Sequence, residues 1–168
     1  DEESLESLSV LLAGLVSDIL STRSELQTAL NAIKNQQFAL DEHAIVSVTD
    51  ADGNLLYAND KFCTISQYQR PELLGVNHRI VNSGLHPKEF FAAMWNTIKQ
   101  GKVWHGEIRN RAKDGSFYWT SATIVPFLDE QQKPYQFISI RTDITHERLL
   151  KEEIESSKLL LQNVMNTL

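Results

Sequence analysis

Two heptad stripes bracket a central segment in which the hydrophobic period changes, and this layout restricts the chain to one modest domain carried between two helical arms. At the front, Leu5, Leu8, Leu12, Leu15, Ile19, Thr22, Leu26, Ala29 and Ile33 recur at alternating steps of three and four. At the back, Leu150, Ile154, Ser157, Leu161, Val164 and Leu168 repeat the pattern. A narrow stripe of this kind suits a coiled coil of two or a few strands. The expectation is a homodimer through the helical arms; the alternative is an amphipathic helix packed on its own domain. The front arm, from about Leu5 to Phe38, would span about 50 Å as one helix, with Gly14 as a weak point. The back helix has no Gly or Pro stop signal, so an output domain of the same chain is expected to follow it.

Between the arms the elements are short. Ile45–Thr49 reads as a strand, Asp52-Gly53 as a hairpin turn and Leu55–Ala58 as the return strand. Asn59 or Asp60 can cap a short helix at Lys61–Ser66. Pro71–Leu74 forms another, closed by Gly75. Asn77–Leu85 is polar and irregular. Pro87 opens a longer helix to Lys99, on which Phe90, Phe91, Met94, Trp95 and Ile98 recur at helical spacing. The period then becomes two: Val103–Arg111, Phe117–Phe127 and Tyr135–Thr142 read as strands, separated by Asp114-Gly115 and the loop Asp129–Lys133. Two strands, several short helices and three strands predict an α+β fold with a five-stranded antiparallel sheet and helices on one side. The domains are 1–40, an N-terminal coiled-coil or dimerisation helix; 41–145, the central domain; and 146–168, a C-terminal helix. A curved sheet covered by helices encloses a natural pocket.

Composition excludes several classes. The chain of 168 residues has a formal net charge of −6, which argues against a nucleic-acid surface. The single cysteine, Cys63, excludes an internal disulfide framework and a Cys-rich zinc site. A reducing, cytoplasmic setting is therefore expected. No apolar run reaches membrane-spanning length on this reading: Ser17 and Asp18 interrupt the most apolar stretch, Leu11–Leu20. No direct membrane contact is expected for this chain, although a longer parent protein can be anchored elsewhere.

The central segment resembles the PAS family of sensory domains. The resemblance covers about Asp41 to Thr145. It rests on Thr49-Asp50, Tyr57-Ala58-Asn59-Asp60-Lys61-Phe62, Glu72-Leu73-Leu74-Gly75, Lys113-Asp114-Gly115-Ser116 and the closing Arg141-Thr142-Asp143-Ile144-Thr145. In that family the closing Asp-Ile-Thr joins the last strand to an outgoing signalling helix. The resemblance implies the PAS fold and a sensor rather than an enzyme. Family members bind flavins, haem, small acids or nothing.

A narrower resemblance bears on the ligand. Asn77-His78-Arg79-Ile80-Val81-Asn82-Ser83-Gly84, Trp95, and Trp104-His105-Gly106-Glu107-Ile108-Arg109-Asn110-Arg111 are similar to FAD-binding PAS domains. These are the redox or oxygen sensors of nitrogen-fixation regulators and aerotaxis receptors. There, a tryptophan on the long helix and an asparagine on the next strand hold the flavin ring, which implies Trp95 and Asn110 here. The cofactor-binding set that follows is Trp95, Asn110, Asn77, His78, Asn82, Thr120 and Ile108. Light-sensing flavin PAS domains place a reactive cysteine where this chain has His78, and an asparagine where it has Thr120, so no flavin–thiol adduct is expected.

The residues fit that ligand on their own chemistry. The Asn110 amide offers one donor group and one acceptor, matching the pyrimidine edge of a flavin. Asn110 and Ile108 alternate on one strand, so both point to one face. A polar residue among core-facing positions requires a partner, and a ligand can be that partner. The alternatives are that Asn110 bonds neighbouring backbone or faces solvent, and that Trp95 is core packing. Arg70, Arg79 and Lys88 can meet a flavin diphosphate or be solvated surface charges.

Other chemistry finds less support. His43, His78, His86, His105 and His146 are scattered without metal-ligand spacing. For haem, only His86 lies near the apolar helix. No Gly-x-Ser-x-Gly or P-loop is present. The sequence therefore reads as a signal-sensing module, not itself an enzyme, that binds FAD and reports redox state or oxygen through a coiled-coil helix. The alternatives are a ligand-free dimerisation and relay domain, or a sensor of another small molecule or haem.

Overall fold

The computed structural model describes residues 2–167, so the expected seam position Leu168 lies outside the described residues. The chain divides into two compact units, one ending at Leu40 and one running from Asp41 onward.

The first unit is a single helix. Helix α1 spans Glu2–His43, longer at both ends than the heptad stripe suggests, and has no buried residue. Leu5, Leu12, Leu15, Ile19, Leu26 and Ile33 are all exposed, as the stripe requires of an unpaired arm. The apolar surface is wider than a narrow seam, however, because Val10, Leu11, Val16 and Leu20 lie off the stripe and are also exposed. By length and composition alone α1 can cross a membrane, which corrects the expectation that no apolar run is long enough. Ser17 and Asp18 interrupt the strongest run but do not end the helix.

The second unit contains a five-stranded antiparallel sheet: β1 (Ile45–Asp50), β2 (Leu55–Ala58), β3 (Trp104–Arg111), β4 (Phe117–Leu128) and β5 (Pro134–Asp143). The spatial order is β2-β1-β5-β4-β3. The first strand pairs with the last, Ser47 opposite Ser139, which places both ends of the domain at the sheet centre. Helices α2 (Asp60–Ser66), α3 (Arg70–Leu73) and α4 (Lys88–Lys99) lie between β2 and β3 in the chain, and α5 (Thr145–Thr167) leaves from β5.

Local chemistry sets these boundaries. Asp50 closes the first hairpin by accepting from the backbone N–H of Asp52 and of Asn54, both at 2.9 Å. Gly53 takes the φ of 87° that this turn requires. Asn59 caps α2 by accepting from the Phe62 N–H at 3.0 Å, and the same oxygen accepts from the Val46 N–H at 3.0 Å. Its amide nitrogen donates to the Ala44 carbonyl at 2.8 Å and to Asp41 at 3.1 Å. One buried asparagine thus ties the helix to the strand entry. Helix α3 starts at Arg70, where the Gln69 N–H donates to the Glu72 carboxylate at 2.9 Å. The segment expected to be irregular contains a short 3-10 helix, His78–Val81, whose N-cap Asn77 accepts from the Arg79 N–H.

Alternation along the strands sends one row of side chains inward. Ile45, Ser47 and Thr49 of β1, Tyr118, Thr120, Ala122 and Ile124 of β4, and Phe137, Ser139 and Arg141 of β5 are all buried. The core forms two clusters. Ile45, Leu55, Ala58, Phe62, Leu73 and Val81 make one, against which Cys63 packs. Met94, Ile98, Ile124 and Phe137 make the other, with Phe91, Trp95, Trp104 and Ile108 against it. The inner row is unusually polar at its centre, with Ser47, Thr120, Ser139 and Arg141 facing the helices.

Candidate functional site

That polar centre is the floor of a cavity of about 490 Å³ between the sheet and the segment from Asn77 to Lys99. The volume falls in the range of pockets that hold small organic ligands. Its apolar wall comes from Phe91, Met94, Trp95 and Ile98 on α4 with Ile108, Ile124 and Phe137 on the sheet. Its rim carries Asp52, Arg79, Asn82 and Lys99, all exposed.

The structure brings Trp95, Asn110, Asn77, His78, Asn82, Thr120 and Ile108 to the wall of this one cavity. Trp95 lies edge-to-face on Phe137, with centroids 5.6 Å apart, and Lys99 extends over its ring at 5.4 Å. It therefore packs on the second core cluster and faces the cavity at once. Asn110 is 4% exposed. Its amide nitrogen donates to the Thr120 hydroxyl at 3.1 Å and, longer, to the Ile108 carbonyl at 3.3 Å. Of the partners left open for this side chain, neighbouring protein groups take its amide nitrogen. Asn77 donates to the Asp52 carbonyl at 3.0 Å and holds the 3-10 helix against the first hairpin. Asn82 bridges to Asn110 in the backbone, and its side chain accepts from the Gly84 N–H at 2.9 Å.

His78 stacks on Phe62 with ring centroids 5.5 Å apart. Burial and the neighbouring Arg141 guanidinium push its pKa down to about 3. The ring is neutral at pH 7, and its Nε2 accepts from Arg141 Nη1 at 3.0 Å, which places the ring proton on Nδ1.

Arg141 is the functional candidate that sequence reading missed. It is 3% exposed and faces the cavity. Nη2 donates to the Ser47 hydroxyl at 2.7 Å, and the guanidinium lies over Phe62 at 4.4 Å. Its Nε is buried without a partner. Burial pushes its pKa down to about 10, so it remains charged at neutral pH. Strand alternation was the available signal, since Phe137, Ser139 and Arg141 share the inner face of β5.

Among the charges considered for a diphosphate, only Arg79 lines the cavity. Arg70 pairs with Asp60 and donates to the Ala58 carbonyl at 3.0 Å, and Lys88 is not on the cavity wall. His86 lies outside as well: its Nε2 accepts from the Arg109 N–H at 2.9 Å, and the ring stacks on Phe90 at 4.3 Å. Cys63 does not line the cavity, and burial raises its thiol pKa.

A PAS domain family profile matches residues 42–146. The chain belongs to the PAS domain family. Its PAS domain is similar to the nitrogen fixation regulatory protein of Klebsiella pneumoniae, 32% identical over 133 residues that cover 78% of this chain and 27% of the relative. It is also similar to the aerotaxis receptor of Escherichia coli K12, 39% identical over 113 residues, covering 67% of this chain and 22% of the receptor. The chain thus spans about a quarter of the length of these relatives. Among solved structures, an RNA-binding light-oxygen-voltage receptor superposes with a TM-score of 0.67 at 25% identity, covering 78% of this chain and 38% of that one. The light-state LOV domain of Aureochrome1 superposes with a TM-score of 0.57 at 21% identity, covering 70% of this chain and 96% of that one, a likeness of fold alone. The chain is therefore a PAS sensory domain with a five-stranded antiparallel sheet, a long N-terminal helix and a C-terminal helix.

Proposed function

We propose that this PAS domain binds FAD non-covalently in the cavity and reports redox state or oxygen through α5. The observation that carries the reading is the convergence of Trp95 and Asn110 on one pocket with a polar floor and an apolar wall. Met94, Ile98, Ile108, Ile124 and Phe137 suit a flat aromatic ring, while Asn110, Thr120, Ser139 and Arg141 suit its polar edge. Arg79 and Lys99 on the rim suit a diphosphate. FAD, when bound, supplies two-electron redox chemistry in which the ring takes up a proton at N5.

The route outward is short because adjacent strand residues face opposite ways. Ile108 and Asn110 line the cavity, while Glu107 beside them pairs with Arg148 of α5. Thr120 faces the cavity, while the Trp119 N–H donates to the Thr145 hydroxyl at 2.9 Å and the Trp119 carbonyl accepts from the Ile144 N–H at 2.9 Å. Arg148 also lies over the Trp119 ring at 4.5 Å. A change in strand position at the ligand edge thus reaches the first turn of α5 within one residue. The exposed apolar residues Leu150, Ile154, Leu161 and Val164 on α5, and those on α1, support pairing of the arms in a homodimer. The reading takes the unit to act in the cytoplasm and to drive an output domain of a longer protein. Haem fits less well, because His78 and His86 each hold a protein donor on Nε2.

The test is the absorption spectrum of protein purified in air, with the cofactor released by acid and identified by mass. A flavin spectrum and FAD mass support the reading. A sharp haem band, or colourless protein that stays colourless after incubation with FAD, overturns it.

A further inference from the structure

Arg141 is the only buried charged residue among the described residues, and its surroundings do not balance it. Its contacts are all neutral: the His78 ring, the Ser47 hydroxyl and the Phe62 face. The ion pairs among the described residues belong to Arg70, Lys113 and Arg148. Arg141 Nε lies in the interior with no acceptor. Burying a guanidinium without an anion costs several kcal/mol, and this group cannot escape by deprotonating. The cavity it faces is biased the same way. In a chain of net charge −6, its wall carries Arg79, Lys99 and Arg141 against the single carboxylate of Asp52.

We propose that Arg141 is the charge-recognition residue of the cavity floor, its guanidinium meeting an anionic or electron-rich edge of the ligand. Resting on the FAD reading, the inference is that Arg141 favours the form of the bound ring that carries a negative charge. Uptake of two electrons from a reductant such as dithionite and of one proton from water at N5 leaves the ring with one negative charge. A fixed guanidinium beside that edge strengthens its charge-assisted hydrogen bond on reduction. Neutral His78 and Ser47 keep the guanidinium oriented without neutralising it, which an acidic partner would do.

The experiment compares wild type, Arg141→Gln and Arg141→Lys, each checked for native thermal unfolding. FAD affinity is measured by fluorescence titration, and the midpoint potential of the loaded protein is measured against reference dyes. Arg141→Gln is expected to lower the preference for reduced over oxidised FAD by about tenfold, a fall of about 30 mV for a two-electron couple. Arg141→Lys, which keeps the charge, should recover part of it. Equal potentials in all three loaded proteins overturn the inference. If Arg141→Gln fails to fold, the Lys variant alone decides: a potential nearer the wild type than that of free FAD is expected, and one equal to free FAD overturns it. If wild type takes up no FAD, the FAD reading fails separately, and succinate is the second probe. A succinate-induced thermal shift in wild type that is lost in Arg141→Gln and kept in part in Arg141→Lys sustains anion recognition; no shift in wild type, or an equal shift in all three, overturns that too.

Discussion

The substitution His78→Gln should flatten the loss of stability that this fold suffers in mild acid. The His78 ring titrates at about 3 in the folded protein, against an ordinary value of 6.5. Between those values the unfolded chain binds a proton that the folded one refuses. Stability therefore rises with pH in that window and is lost as pH falls from about 6.5 towards about 3. The limiting slope is about 1.4 kcal/mol per pH unit. From about pH 6.5 to about pH 4.5 this gives about 2.3 kcal/mol, since the unfolded imidazole is only half protonated at the upper end, and about 2 kcal/mol once the residue's partial exposure is allowed for. The introduced amide still offers an oxygen to Arg141 Nη1 but has no titrating ring. It also loses the stack on Phe62, so the variant should start about 1 kcal/mol less stable at neutral pH. Asp50, Glu72 and Asp114 have carboxyl pKa values lowered by their hydrogen bonds. Their stabilisation is also lost in acid, equally in both proteins, so it cancels in the difference. Urea denaturation across that range should show the two curves crossing, with wild type about 1 kcal/mol the more stable at neutral pH and about 1 kcal/mol the less stable near pH 4.5. Parallel curves would refute the half-buried, neutral His78 and the Arg141 geometry built on it.

Three further outcomes follow from the same structure. Gly53→Ala should cost about 1–2 kcal/mol and shift Trp95 fluorescence, because the new Cβ at φ 87° would lie 3.0 Å from the Trp95 ring; unchanged emission would show that the hairpin does not touch the cavity mouth. Blue light should produce no bleaching that recovers in the dark, since Cys63 is not on the cavity wall and the adduct needs a thiolate at the ring; bleaching abolished by Cys63→Ala would contradict this. Leu15→Glu, which puts a charge on the α1 stripe, should cost several kcal/mol of association with the PAS unit still folded; light scattering that finds a wild-type monomer, or a mutant still fully dimeric, would exclude this arm as the main contact.

Much of the fold is legible in the sequence because its signals are local. Asp52-Gly53 and Asp114-Gly115 demand turns, and both glycines take positive φ. The spacing of Phe91, Met94, Trp95 and Ile98 fits only a helix. Trp95 and Asn110 follow from resemblance, and the fold brings both to the cavity. What stays hidden depends on contacts between distant segments. The 3-10 helix at His78–Val81 is held by the Asn77 side chain rather than by a hydrophobic period, so no pattern announces it. Arg141 reads as an ordinary surface charge until β5 is paired with β1 and its inner row is fixed. Arg70 resembles a phosphate contact until Asp60 is found beside it. The breadth of the α1 apolar surface is hidden when only seam positions are counted and Val10, Leu11, Val16 and Leu20 are passed over.

The central claim is that the cavity beneath Trp95 and Asn110 holds FAD, and blocking that space tests it most directly. Ser139 is 8% exposed and sits on the cavity floor between Ser47 and Ile124, so Ser139→Leu fills the space from the sheet side without removing a strand hydrogen bond. Titration of wild type and Ser139→Leu with FAD, followed by flavin fluorescence quenching, should give saturable binding of one FAD per chain in wild type. In the variant, affinity should fall by at least about a hundredfold, the loss of roughly 3 kcal/mol, with the urea midpoint little changed. Equal FAD affinity in the two proteins, or no binding by wild type, would contradict the account.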